Sequence, residues 1–314
     1  MALYDLVRLR NSLTDVVNAD AAVKELEDIC QRLRNVKIEI PNTSEQHVTY
    51  IDALVDTYEQ LIDQTQKPVN EFSKQLQIIN DQITELSHQL FANNYNLEEH
   101  YGNIDHVRTN RCIHIDQDLE QIIKQRIFIY TSWRYPALEI GCRDGEWTQF
   151  LVAADPLYIM DRLPEFLQLT NDRFPPEYQR RLRKYPLVDH NLSALPQGQI
   201  GFAFSWGYFN FISVDTMHQV LKQMRDVLRP GGVFMFSYND GDTPAGAGMA
   251  ENFAQSYMPK SLLVPLCLSL GFEIVNESTY GTNISWIEIQ RPGKLHTVKA
   301  HQVFGEIRNR AGLE

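Results

Sequence analysis

The sequence predicts an α/β fold: a doubly wound, mainly parallel sheet of seven strands with an antiparallel C-terminal hairpin, preceded by an α-helical coiled-coil region. Three observations carry this. Apolar residues over 48–90 advance by alternating threes and fours. From about residue 114 short apolar runs alternate with helical stretches. The last two runs are separated only by the tight connection "YGTN".

The N-terminal pattern comes first. Val48, Ile51, Val55, Tyr58, Ile62, Thr65, Val69, Phe72, Leu76, Ile79, Ile83, Leu86 and Leu90 keep one seam facing a partner helix, broken only by Thr65. At 1.5 Å per residue the stripe is about 65 Å long, more than a compact domain covers. Pro68 removes a backbone donor inside this register, so a kink is expected there. Upstream, "LVRLRNSLTDVV" and "AAVKELEDICQRLRNV" continue a helical period with a shift of register between them. "KIEIPNTSEQH" then carries Pro41 and an Asn-Thr-Ser cluster that can end one helix and cap the next. Two arrangements fit: an antiparallel hairpin within one chain, or parallel helices in an oligomer.

These patterns divide the chain into a helical oligomerisation region (1–92), a connector (93–113), an α/β domain (114–291) and a C-terminal tail (292–314). In the α/β domain the expected strands are "ALEIG", "PLYIMD", "KYPLVD", "IGFAFS", "GGVFMFS", "FEIVNES" and "ISWIEIQ", with helical stretches between the earlier ones. The "YGTN" connection predicts that the last two pair as a hairpin.

Composition narrows the function classes. With 43% hydrophobic and 22% charged residues the chain has the makeup of a soluble globular protein. A net charge of −11 argues against a surface that tracks a nucleic-acid backbone. No run of about 18 apolar residues and no N-terminal signal pattern is present, so no membrane association and a cytoplasmic setting are expected. The four cysteines and nine histidines are scattered without metal-ligand spacing, so no metal site is expected.

In an open parallel sheet ligands bind beyond the carboxyl ends of the strands, at the switch of strand order. The first strand ends in "LEIGCRDGEWT". Gly141 suits a tight turn, and Gly145 suits close backbone approach where a helix starting at Trp147 and Thr148 is expected. The second strand ends at Asp161, twenty residues after Gly141, where a carboxylate can accept both hydroxyls of a ribose. The third ends at Asp189, placed to accept from an adenine amino group or to shape the adenine pocket. The fourth ends at Ser205, followed by "WGYFNF".

Residues 114–291 resemble the class I S-adenosylmethionine-dependent methyltransferases. "LEIGCRDGEWT" resembles that family's first motif and Asp161 its acidic second motif. "VLKQMRDVLRPGGVFMFS" resembles the helix, turn and fifth strand, and "SYMPKSLLVPLCLSLGFEIV" the later helix and sixth strand. The resemblance implies a Rossmann-like fold and methyl transfer from S-adenosylmethionine. It implies a cofactor site of Glu139, Gly141, Cys142, Gly145, Asp161, Asp189, Leu192, Ser205 and Trp206. Gly141 and Gly145 would line the methionine end, with Glu139 ordering the turn or reaching the amino group through water. Asp161 would hold the ribose, Asp189 and Leu192 border the adenine, and Ser205 and Trp206 sit under the sulfonium.

Two positions depart from that pattern: Arg143 replaces a glycine of the first motif, and Gly201 stands where the fourth strand often begins with aspartate. "SWGY" stands where amino methylation of adenine or cytosine would use Asn/Asp-Pro-Pro-Tyr. Tyr208, Asn210 and His218 are the candidate residues near the acceptor. The glycine-rich "YNDGDTPAGAGMAENF" is a candidate lid, and "RFPPEYQRRLRK", with five basic residues and one acidic, a candidate anchor for an acidic substrate.

The expected partners are further copies of the chain, joined through the coiled coil, or a larger assembly on which it docks. The Gln- and Asn-rich helical stretch is similar in composition to viral fibre and tail-associated proteins. The alternative function is therefore a structural or assembly component, within a viral particle, whose methyltransferase-like domain has weak or lost catalysis.

Overall fold

The structure is a computed structural model and describes residues 3–17, 20–39, 52–53, 55–60, 62–64, 70–86, 115–252 and 254–294. The chain divides into two compact units, Met1–Ser87 and His88–Glu314.

The first unit is helical in every described residue. Helix α1 spans Leu3–Val17 and α2 spans Asp20–Glu39; further helical residues cover 52–53, 55–60, 62–64 and 70–86. Helix α1 buries Leu3, Leu6, Val7 and Leu13 on one face. The expected seam points inward: Val55, Ile79 and Ile83 are buried, Tyr58, Ile62, Phe72, Leu76 and Leu86 are half-buried, and most flanking positions are exposed. Helix α2 lies beside residues 56–60 and 62–63 of the same chain. Arg34 pairs with Glu59, and a cleft of about 630 Å³ runs between Glu27, Cys30 and Gln31 on one side and Asp56, Gln60 and Asp63 on the other. An intrachain helix pair is therefore present. Val48, Ile51, Thr65, Pro68, Val69 and Leu90, the connector 93–113 and the tail beyond 294 lie outside the described residues. None of the described helices is long and apolar enough to cross a membrane.

Among the described residues the second unit begins with helix α3 (Gln117–Tyr130). Asp116 caps it, accepting from the Leu119 amide at 2.8 Å, and Leu119, Ile123, Ile127 and Tyr130 form its buried stripe. Seven strands follow: β1 (Ala137–Ile140), β2 (Leu157–Asp161), β3 (Leu182–Pro186), β4 (Ile200–Ser205), β5 (Leu228–Tyr238), β6 (Glu273–Tyr280) and β7 (Ile284–Gln290). Their order is β3-β2-β1-β4-β5-β7-β6, with β7 antiparallel to both neighbours. The hairpin closes at Tyr280 and Ile284, as the "YGTN" connection predicts. Central β1 is buried throughout, apolar except for Glu139, as a strand covered on both faces requires.

Helix α4 (Pro164–Asp172) and the single turn α5 (Pro176–Gln179) join β2 to β3. Helix α6 (Val214–Val227) joins β4 to β5. Helices α7 (Pro244–Glu251) and α8 (Lys260–Ser269) precede β6. One face of the sheet packs against α6 and α8 through Met217, Leu221, Met224, Leu263 and Cys267. The other packs against α3 with Trp147, Leu151 and Trp286. On that face Glu288 of β7 is fully buried and receives the Arg126 guanidinium and, at 2.6 Å, the Tyr130 hydroxyl. The carboxylate raises the Arg126 pKa, and burial, followed by the carboxylate, raises that of Tyr130.

Three local expectations are corrected. No α-helix follows the Gly141–Gly145 turn. Cys142, Gly145, Trp147, Thr148, Leu151 and Ala154 are buried there, and the amides of Gly145, Phe150, Leu151 and Ala154 bond three residues back. Those bonds build successive tight turns, and only Thr148–Phe150 is a 3₁₀ helix. Strand β3 ends at Pro186, so Asp189 lies on a 3₁₀ turn (Val188–His190) rather than at a strand end. The glycine-rich segment after β5 is not a plain loop: its residues Pro244–Glu251 form α7, capped by Thr243, with Gly246, Ala247 and Ala250 buried.

Candidate active site

Glycine 141 carries the chain out of β1 at φ +75°, and its amide still extends the ladder to the Met160 carbonyl at 2.8 Å. A Cβ there would come within 2.9 Å of Tyr208 Cβ, so the turn accepts no side chain. Two residues on, Arg143 is also left-handed, at φ +50°. This backbone suits glycine and costs an L side chain about 1–2 kcal/mol. Only Arg143, Asp189 and His190 adopt it among the described non-glycine residues, and all three lie beyond the carboxyl ends of β1 and β3.

The strained turn brings the Arg143 amide to Asp161 Oδ2 at 3.0 Å, while the Leu163 amide reaches Oδ1 at 3.2 Å. Burial raises the Asp161 carboxyl; these amides and the Arg143 charge act against that rise. Helix α4 grips the same turn. Thr170 Oγ1 donates to the Arg143 carbonyl at 2.8 Å, and Arg173 pairs with Asp144 at 3.0 Å. Gly145, at φ +82°, faces this helix: a Cβ would sit 3.0 Å from Thr170 Cγ2. The close approach at Gly145 is thus made by α4.

Beneath the turn Glu139 is buried and accepts from Thr148 Oγ1 at 2.5 Å. Burial pushes its carboxyl up to about 8, against the Thr148 hydrogen bond and helped by Asp161 and Asp144. The acid is therefore mostly neutral at pH 7. Burial likewise pushes the Cys142 thiol up. On the other side of β1, Ser205 donates to the Ile140 carbonyl at 2.8 Å and fixes the end of β4 to it.

A cleft of about 220 Å³ opens in front of these strand ends, between Ile115 and Glu120 at the N-terminal end of α3 and the turns after β1 and β4. Gly141, Cys142, Trp147, Phe150, Trp206 and Gly207 line it. Trp206 is 5% exposed, and its indole N–H has no hydrogen-bond partner among the described residues. The cleft is smaller than the roughly 300–1,000 Å³ of most small-molecule sites.

The sequence candidates are distributed around this centre. Glu139, Gly141, Cys142, Asp161, Ser205 and Trp206 are brought together, and Gly145 supports the turn from the α4 side. Leu192 is buried, with its amide on Gln223 at 2.8 Å. Asp189 is exposed on its turn. Tyr208 packs over Gly141 and meets His190 Nδ1 through its hydroxyl. Asn210 is buried in a hydrogen-bond chain, and His218 is exposed on α6, outside the cleft lining. The basic stretch is largely tied to its own chain, Arg181 to Asp155 and Lys184 to Asn171.

Gly201 finds its reason in Tyr135, whose Cβ would lie 2.5 Å from any Cβ at that position. Sequence reasoning missed Thr148 as the partner of Glu139, although it lies in the same motif, and missed Thr170, for which no local signal exists. Among the described residues no group of His, Cys, Asp or Glu side chains is placed to hold a metal ion.

Residues 138–234, under a third of the chain, match the family model described as a methyltransferase domain. That match gives the protein a methyltransferase domain, built on a sheet of this strand order with a glycine turn facing an acidic strand end. No protein of curated function matches the sequence. Solved structures similar in chain trace include an S-adenosylmethionine-dependent methyltransferase from Mesorhizobium loti (12% identity, 55% of this chain and 97% of that one, TM-score 0.45). Another is geranyl diphosphate C-methyltransferase from Streptomyces coelicolor A3(2) (8%, 55% and 80%, 0.46). A third is the [4+2]-cyclase SpnF (12%, 59% and 86%, 0.46). Similarity at this level adds nothing to the class, which rests on the family match and the site.

Proposed function

We propose that the protein transfers the methyl group of S-adenosylmethionine to an acceptor that enters over the ends of β4 and β5, and that its helical unit mediates oligomerisation or docking to a larger assembly. The observation that carries the reading is the left-handed Gly141–Arg143 turn, joined through an amide to Asp161 and fronted by a cleft with an orphaned Trp206 N–H. Such a set fits a ligand that offers hydroxyl groups to a carboxylate and acceptor oxygens to a buried donor.

In this reading Asp161 holds the ribose, and the Gly141–Cys142 backbone, Glu139 and Trp206 face the methionine end. Gly145 shapes the turn, and Ser205 fixes the wall beneath the sulfonium. Asp189 and Leu192 border the adenine. The cofactor supplies an activated methyl group, so alignment and exclusion of water are what the chain's residues contribute. An acceptor that must lose a proton requires a base. Tyr208, with His190 on its hydroxyl, is the candidate nearest the Gly141 turn.

A second reading is favoured by the small cleft and by the two amides already on the Asp161 carboxylate. In it the domain is a folded module of a structural or assembly protein, with weak or lost catalysis. Calorimetry with S-adenosylmethionine separates the two. Micromolar binding that Asp161→Ala abolishes supports the enzyme; a folded protein that takes up no cofactor leaves only the second reading.

A further inference from the structure

Strand β4 ends between two serine hydroxyls. Ser205 ties it to β1, as described, and Ser237 of β5 ties it from the other side. The Gly207 amide donates to Ser237 Oγ at 2.7 Å, Ser237 donates to Asn210 Oδ1 at 2.8 Å, and Asn210 Nδ2 donates to Gln255 Oε1 at 2.9 Å. The Ser256 amide closes the set on the Asn210 carbonyl at 2.7 Å. Ser237, Asn210 and Gln255 are all at least 95% buried.

Each hydroxyl or amide in this chain donates onward in one direction, so successive bonds polarise one another in a low-dielectric interior. Its first member matters most for the site. Gly207, at φ +82°, lines the cleft next to Trp206, at the point where the chain leaves β4. Buried hydroxyl and amide groups are costly to keep unless they are bonded, and an apolar pair at 210 and 237 would hold the core equally well. What such a pair cannot do is grip the Gly207 amide.

We propose that Ser237 and Asn210 are positioning residues: their relay fixes the Trp206–Gly207 wall against the Gly141 turn and so sets the affinity of the cleft for S-adenosylmethionine. This rests on the methyltransferase reading. It also gives Asn210 a role through Gly207, in place of contact with the acceptor.

The test uses the full chain with Ser237→Ala, Asn210→Ala, the double variant, and the matched pair Ser237→Thr and Ser237→Val, which differ in the hydroxyl alone. Amide hydrogen exchange at Gly207 is read without ligand, and S-adenosylmethionine affinity by calorimetry. A net hydrogen bond of about 1 kcal/mol predicts about a fivefold rise in Gly207 exchange and about a fivefold loss of affinity in Ser237→Ala. The double variant should lose no more than the weaker-binding single one, because both break one chain. Ser237→Thr should bind like the parent and Ser237→Val like Ser237→Ala; this pair carries the contrast if the alanine variant does not fold. Unchanged Gly207 exchange, or a Val variant that binds as tightly as Thr, overturns the relay. A folded parent that binds no S-adenosylmethionine overturns the cofactor reading and this role with it, even where the exchange pattern is as expected.

Discussion

The amide of Arg143 donates to Asp161 Oδ2 at 3.0 Å, so the residue that interrupts the glycine turn is also the one that joins β1 to the acidic end of β2. The bond uses the backbone and is indifferent to the side chain. Arg143→Gly should therefore keep it, relieving left-handed strain of about 1–2 kcal/mol while adding about 0.5–1 kcal/mol of unfolded-state entropy. The expected thermal midpoint is within about 4 °C of the parent, with cofactor affinity retained. A calorimetric loss of tenfold or more would place the guanidinium on the ligand instead.

Glu139 predicts a pH dependence of stability. Its carboxyl titrates near 4.5 in an unfolded chain and is pushed up to about 8 by burial in the fold. Below pH 4.5 both states hold the proton. As the pH rises toward 8 the unfolded chain releases it while the folded one retains it, so stability falls by at most about 1.4 kcal/mol per pH unit across that window. Glu139→Gln keeps an acceptor for Thr148 and removes the titration. Urea denaturation at pH 5 and pH 8 should show a drop in the parent that the glutamine variant lacks.

The Arg126–Glu288 pair predicts an asymmetric outcome. Arg126→Met leaves a buried carboxylate on β7 with only the Tyr130 hydroxyl and a long contact from Asn276 at 3.2 Å, and should cost about 3–5 kcal/mol. Glu288→Gln removes the charge and should cost distinctly less. Chemical denaturation of the two variants checks the order; equal losses would show that packing of α3, and not charge, is what the pair maintains.

The proposal for the helical unit is checked by sedimentation equilibrium on the full chain. A multimer that dissociates when Ile79 and Ile83 are both changed to Asn supports oligomerisation through the seam. Both side chains are buried within the unit, so helicity by circular dichroism must be followed in parallel. A monomeric parent overturns oligomerisation and leaves docking.

The sheet was legible where burial is two-sided or the turn is short. "IGFAFS" and "ISWIEIQ" sit on β4 and β7 to the residue, "ALEIG" overruns β1 by Gly141 alone, and "YGTN" closes the hairpin. The connections were less legible because their structure is decided by what they pack on. "DGEWTQF" has the composition of a helix start, yet Thr148 is held on Glu139 and the amides of Gly145, Phe150 and Leu151 bond three residues back, closing tight turns instead. In the site, Asp161 could be found from its spacing to Gly141. The partners that shape it could not: Thr170 and Ser237 act across 27 and 30 residues of chain, and no local pattern records such distances.

The bond between Arg126 and Glu288 spans 162 residues, joining the first described helix of the second unit to the last strand of its sheet. A chain emerging from the ribosome at about 5–20 residues per second makes α3 long before β7 exists to receive it. Until then α3 has no Glu288 to bind, and one covered face of the sheet lacks its fastening. The cleft at the foot of that helix is thus walled by an element whose fastening is among the last parts of the sheet to be synthesised.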